Sequence, residues 1–192
     1  MNNFAPVGSV NVSRLLIQLK KNPHLWDLFK ERSFSYGSPH GGVSDIWVRF
    51  RNRDEFNGDW AEFVNSPHEA VWYDSADALS ATRDIAFQLM AAVRGERLGG
   101  ILITKVPPGG EVKPHVDGGY NARTYDKFAV ILESAEGQGM FYEDGRMAGP
   151  PGSVFWFRND VPHWVKNESD IERITMIICI QPEGRALCHS QP

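Results

Sequence analysis

The stretch EVKPHVDGGY, residues 111–120, sets a histidine and an aspartate two positions apart. Side chains alternate with period two in an extended chain, so His115 and Asp117 face the same side. Gly118 and Gly119, which follow, let the backbone turn sharply without steric penalty. Taken alone, the triplet is better explained by a polar turn at a strand end, since His-x-Asp occurs by chance in many proteins. His163 supplies the missing partner, heading the segment HWVK after a tight Pro-Gly turn, the aromatic run SVFWF and the polar turn RND. Two imidazoles and one carboxylate leave coordination positions open, the set that suits non-haem Fe(II) with a bidentate cosubstrate and oxygen.

Ten residues further on, Arg173 opens the apolar run RITMIICI. A guanidinium in such a run is costly unless it is paired. Its planar fork of donors matches a dicarboxylate ligand, and Thr175, two residues along, lies on the same side of a strand and can assist. The ordinary alternative for Arg173 is a surface ion pair with Asp170 or Glu172.

These residues must be positioned by short strands. From Leu98 onward the sequence breaks into GGILITKV, KFAVILES, GMFYED, SVFWF, HWVK and RITMIICI, separated by Gly, Pro, Asn and Asp with no helical pattern between them. That texture predicts antiparallel pairing in a jelly-roll barrel, with DIWVRF at residues 45–50 as a further strand. Upstream, the Asn22-Pro23 pair with Leu25, Trp26 and Phe29 predicts a short amphipathic helix ending near Arg32. Ile85, Leu89 and Val93 at four-residue steps predict a helix over residues 75–94, terminated by Gly95. The expectation is a single mainly β (α+β) domain over 1–192. It divides into helical and mixed support over 1–97, a β core over 98–181 and a C-terminal tail over 182–192.

The 192-residue length allows one well-buried core. A formal net charge of -4 excludes a general electrostatic grip on nucleic acid or anionic lipid. With two cysteines, Cys179 and Cys188, there is no disulfide framework, which predicts a reduced compartment. The first residues lack the charged-then-apolar order of a secretory signal and no segment is apolar enough for a membrane span, so a cytoplasmic setting is expected.

PHVD, GSVFWF, the H-x-V-x-N-x-S run from His163 to Ser169, and Arg173 together resemble the Fe(II)- and 2-oxoglutarate-dependent oxygenases, specifically the aspartyl/asparaginyl β-hydroxylase-like branch. The resemblance covers roughly residues 101–180. It implies a double-stranded β-helix, with His115, Asp117 and His163 as iron ligands and Arg173 on the distal carboxylate of 2-oxoglutarate. It also implies hydroxylation of an unactivated C–H bond of an amino-acid side chain, free or in a peptide, with O2 as oxidant and succinate and CO2 as coproducts. Where the family often has an Arg-x-His pair, this chain has Lys127-Phe128-Ala129; Lys127 keeps the positive charge for a cosubstrate or substrate carboxylate, and Ala129 supplies no imidazole. In a contrasting respect Asp117 is present, whereas the peptidyl aspartyl hydroxylases can lack the carboxylate ligand.

Two other classes stay open on the sequence: a cupin-like isomerase or hydrolase using Zn or Mn without 2-oxoglutarate, and a non-catalytic binding barrel. His24, His68 and His189 have no ligand-like company, while His40 sits in the Gly-rich SPHGG, a loop able to close over a site. Arg49, Arg51 and Arg53 alternate, forming either a solvated face or a row that attracts an acidic substrate. Trp164, next to His163, is placed to wall a pocket, and residues 56–74 form either a cover over the site or an irregular brace.

Overall fold

A computed structural model describes residues 2–184; Cys188, His189 and most of the expected tail lie outside the described residues. The N-terminal part runs β1 (Phe4–Ser9), α1 (Ser13–Lys21), α2 (Glu31–Phe34), β2 (Ser44–Arg51), α3 (Trp60–Asn65), β3 (Ala70–Trp72), α4 (Ser75–Ala78) and α5 (Ala81–Ala92). There follow β4 (Gly95–Val106), β5 (Glu111–His115), α6 (Gly119–Thr124), β6 (Asp126–Glu133), β7 (Gln138–Tyr142), β8 (Gly145–Met147), β9 (Ser153–Phe157), β10 (His163–Asn167) and β11 (Arg173–Pro182).

The strands form a seven-stranded sheet in the order β1-β9-β6-β11-β4-β2-β3 and a four-stranded sheet in the order β5-β10-β7-β8. The eight consecutive strands β4 to β11 are shared between the two sheets and pair with one another antiparallel. This is a double-stranded β-helix, with β1, β2 and β3 extending the larger sheet.

β11 explains why RITMIICI shows no alternation of apolar and polar residues. It lies between β4 and β6 and is covered on both faces. Ile174, Met176, Ile178 and Ile180 pack with Leu15 and Leu19 of α1 and Ile85 and Leu89 of α5. Arg173, Thr175, Ile177 and Cys179 face the other way and line the cavity inside the barrel.

Two expected helices differ from those observed. The segment after Asn22 gives only a 3-10 turn, Pro23–Leu25, because Asp27 takes a left-handed conformation at φ 59°. Its carboxylate there accepts from Ser44 Oγ at 2.8 Å and from the Asp45 N–H at 3.0 Å, so side-chain pairing at the start of β2 displaces the helix. The helix expected over 75–94 is broken between α4 and α5 at the buried Leu79, where Gln18 of α1 accepts from the Ala81 N–H at 3.0 Å and donates to Ser80 Oγ at 2.9 Å. Its end also differs: Arg94, at φ 54°, makes the left-handed step, and Gly95 already begins β4. Gly95 is small for another reason, since a Cβ there would lie 2.6 Å from Ile180 Cγ2.

Candidate metal centre

The antiparallel pairing of β5 and β10 places His115 directly opposite His163. The chain then leaves β5 through Asp117, whose N–H donates to the Asn159 carbonyl at 2.9 Å in the turn preceding β10. Gly119 makes the tight turn that follows. Its φ is +87° and a Cβ would meet the Val64 carbonyl oxygen at 2.8 Å, so this position accepts only glycine without strain.

One ligand-type atom from each of His115, Asp117 and His163 lies within 4.8 Å of the others. His115 Nε2 is 3.4 Å from Asp117 Oδ1, and His163 Nε2 is 3.7 Å from Asp117 Oδ2. Each imidazole has its Nδ1 against a backbone carbonyl two residues earlier, at 2.8 Å to Lys113 and 2.9 Å to Val161. A carbonyl only accepts, so Nδ1 carries a proton, and in the neutral ring Nε2 is the nitrogen turned bare toward the aspartate.

Electrostatics favour the ligand-ready forms. Burial opposes ionisation of Asp117, but the Lys127 ammonium, 2.6 Å from Oδ2, and the two histidines hold its carboxyl well below the usual range. Burial pushes the His163 imidazole down, toward the neutral form. Lys127, expected at a cosubstrate or substrate carboxylate, is thus paired with Asp117. Ala129 is fully buried beside Val106 and Phe157.

These side chains open onto a cavity of about 500 Å3 that also contains Arg173 and Thr175. Arg173 is 4% exposed, and neither its Nη2 nor Thr175 Oγ1 has a hydrogen-bond partner. Burial pushes the guanidinium down to about 10, and no anion among the described residues offsets it. The surface ion pair with Asp170 or Glu172 is not formed; Glu172 pairs with Lys105 at 3.0 Å. This donor cluster fits a carboxylate brought in by a ligand.

Other expectations resolve differently. His40 approaches the site, its ring edge-on to His115 at 4.8 Å between centroids. Its Nδ1 contacts Arg32 Nη2 at 3.0 Å, and Arg32 Nη1 donates to both carboxylate oxygens of the buried Asp45, at 2.9 and 2.8 Å. The arginine row does not reach the cavity: Arg49 binds the Ala70 and Leu98 carbonyls, Arg51 pairs with Glu55, and Arg53 lies in a 3-10 turn and pairs with Glu31. Trp164 does not wall the cavity either, because strand alternation sends it away from His163 to stack on Phe141 at 6.0 Å. Residues 56–74 do form part of the cavity wall, through Trp60, Ala61 and Val64 of α3.

Sequence reasoning missed Arg32, Asp45, Trp47 and Asn121, all at or beside the cavity. Asp45 offered one signal, a carboxylate opening the apolar run DIWVRF, which asks for a buried partner. The other three are brought in by tertiary structure alone.

The fold and site together define a double-stranded β-helix with a His-x-Asp and a distant His at its mouth and a buried arginine inside. No protein-family model and no curated protein matches the sequence. Solved structures do match in fold. A prolyl hydroxylase from Trichoplax adhaerens, in complex with a hypoxia-inducible-factor oxygen degradation domain peptide, is similar at TM-score 0.56 and 13% identity over 100% of this chain and 89% of that one. A prolyl-4-hydroxylase from Pseudomonas putida is similar at TM-score 0.54 and 13% identity, covering 96% and 95% of the two chains. The collagen prolyl hydroxylase of Paramecium bursaria Chlorella virus-1, solved as its 2-oxoglutarate complex, is similar at TM-score 0.52 and 10% identity, covering 94% and 96%. At these identities the likeness is one of fold.

Proposed function

We propose that this protein is an Fe(II)- and 2-oxoglutarate-dependent dioxygenase that hydroxylates an unactivated C–H bond of an amino-acid side chain. The observation that carries this reading is the unpartnered, buried Arg173 with Thr175, in the same cavity as His115, Asp117 and His163. A metal-only hydrolase or isomerase has no use for a buried guanidinium without an anion. A 2-oxoglutarate enzyme needs one at the end of the cosubstrate remote from the metal.

In this reading His115, Asp117 and His163 hold Fe(II) and leave coordination positions open for cosubstrate and oxygen. Fe(II) held there would supply the coupling of oxidative decarboxylation of 2-oxoglutarate by O2, giving succinate and CO2, to oxygen insertion into a C–H bond. Arg173 binds the distal carboxylate through its fork, and the Thr175 hydroxyl donates to the same group. Lys127 keeps Asp117 ionised and fixes its orientation; the Lys113 and Val161 carbonyls orient the imidazoles. The apolar walls exclude water from the reacting centre. Support for an amino-acid side chain as target comes from the motif resemblance to the aspartyl/asparaginyl branch and from the hydroxylases of similar fold. Peptidyl Asp or Asn and a free amino acid such as proline are both compatible with that support.

The test is succinate production by purified protein given Fe(II), 2-oxoglutarate, O2 and a panel of amino acids and peptides. The expected result is metal-dependent succinate that His163→Ala abolishes, with Arg173→Ala raising the 2-oxoglutarate requirement by about 100-fold or more. No succinate above the His163→Ala background across the panel defeats the proposal.

A further inference from the structure

Asn121 and Trp47 also line this cavity and carry buried polar atoms that lack a partner. Both amide atoms of Asn121, and the indole Nε1 of Trp47, are buried and without a hydrogen-bond partner, and both residues line the cavity. Leaving such atoms unmade is costly, and native interiors rarely do so. Phe50, between them, links the two residues. A Cβ on Gly100 would lie 3.2 Å from Asn121 Nδ2 and 3.1 Å from Phe50 Cδ2, and the Phe50 ring packs on Trp47 at 4.8 Å.

The strand register locates this group. Arg173 and Cys179 are six residues apart on the inward face of β11, about 20 Å along the strand. Lys127, which holds Asp117, stands opposite Cys179, and Gly99 and Gly100 lie beside Cys179 on β4. Asn121 is therefore at the metal-ligand end of the cavity, away from the arginine reserved for the cosubstrate. It is also held in place: Asn159 Nδ2 donates to the Ala122 carbonyl at 3.0 Å, from the same turn that fixes the Asp117 N–H.

The charge inventory of the lining restricts what can enter. Lys127 is paired with Asp117, and Arg32 with Asp45. Asp117 is the only carboxylate lining the cavity among the described residues, and it belongs to the metal set. An α-ammonium would find no free anion there. An α-carboxylate would find no free cation except the one that the cosubstrate takes. A zwitterion would therefore be desolvated without compensation.

We infer that Asn121, with the Trp47 indole N–H, forms a subsite for an uncharged main-chain amide, so that the residue presented to the metal arrives in amide linkage and not as a free amino acid. Asn121 is complementary to such a group, since its Oδ1 accepts from an amide N–H and its Nδ2 donates to an amide carbonyl. This inference rests on the proposed function and narrows its substrate.

The test uses whole protein loaded anaerobically with Fe(II) and 2-oxoglutarate, with formation of the visible metal–cosubstrate absorption band as the check on the proposed function. N-acetyl amino-acid N-methylamides and the matching free amino acids are then titrated by calorimetry, with and without the metal. We expect at least one capped amide to bind about tenfold or more tightly than its free counterpart. Asn121→Leu should erase that preference while the band persists, and Trp47→Phe, which keeps a ring and removes the N–H, should reduce it. A free amino acid binding as tightly as its capped form, no capped amide binding at all, or a preference that survives both substitutions overturns the inference. A missing band alongside an Asn121-dependent preference for capped amides defeats the proposed function and supports the amide subsite.

Discussion

Arg173 carries opposite consequences for stability and for binding. A buried guanidinium with an unsatisfied Nη2 weighs against the ligand-free fold. Arg173→Leu should therefore stabilise the ligand-free protein by about 1–3 kcal/mol in denaturant unfolding and, on the proposed function, abolish the rise in melting temperature expected of the wild type with 2-oxoglutarate. His40 sets a pH dependence. Burial first, then the neighbouring Arg32, push its imidazole far below the ordinary value, and burial lowers His163 as well. Arg32 can only donate, so His40 Nδ1 is the acceptor and the ring is neutral. Unfolded histidine takes up a proton near pH 6.5, so this contribution is present in full above about pH 6.5 and is lost as the pH falls below it. Melting temperatures of metal-free protein should decline from about pH 7.5 to about pH 5, and His40→Asn, which can still accept from Arg32, should flatten that decline.

Among the elements, those legible in the sequence were the ones whose pattern is local. SVFWF, HWVK and RITMIICI announced themselves by strand length and by turn residues at their ends, and β2 was found within a residue of its limits. The helix expected after Asn22 was not there, because the Asp27 carboxylate finds its partners in β2, seventeen and eighteen residues away. α1 was missed although Leu15 and Leu19 have helical spacing; it has no side-chain cap to mark its start. The cluster of His115, Asp117 and His163 was legible because a His-x-Asp pair completed by a distant histidine is a specific motif. Asn121 was not, because an asparagine on the short helix α6 becomes informative only when its amide is seen to lack partners. The turn joining β5 to α6 yields a sharp prediction. Gly119→Ala forces a positive φ and a 2.8 Å approach to the Val64 carbonyl on a residue two places from Asp117. It should cost about 1–3 kcal/mol of stability and weaken metal binding at the same time, read by chemical denaturation and by metal titration.

For the molecule as a whole, the bound groups would act as ties between the sheets. His115 and His163 belong to the smaller sheet and Arg173 to the larger. On the proposed function a metal with 2-oxoglutarate would join the two, so binding should raise the midpoint of a single cooperative transition. The expected gain is about 2.7 kcal/mol when free ligand exceeds its dissociation constant by about 100-fold, and a chelator should reverse it. Calorimetry with Mn(II) in place of iron checks this without turnover. Among the described residues, β1, β3, β5 and β8 stand at the margins of the two sheets. β3 and β8 have only three residues each; β1 contains Pro6 and a register shift beside it, and β5 contains Pro114. Among the described residues each margin is thus either short or carries a proline, which lacks a backbone N–H, and this hinders recruitment of another copy into either sheet and guards the folded chain against fibrillar self-association.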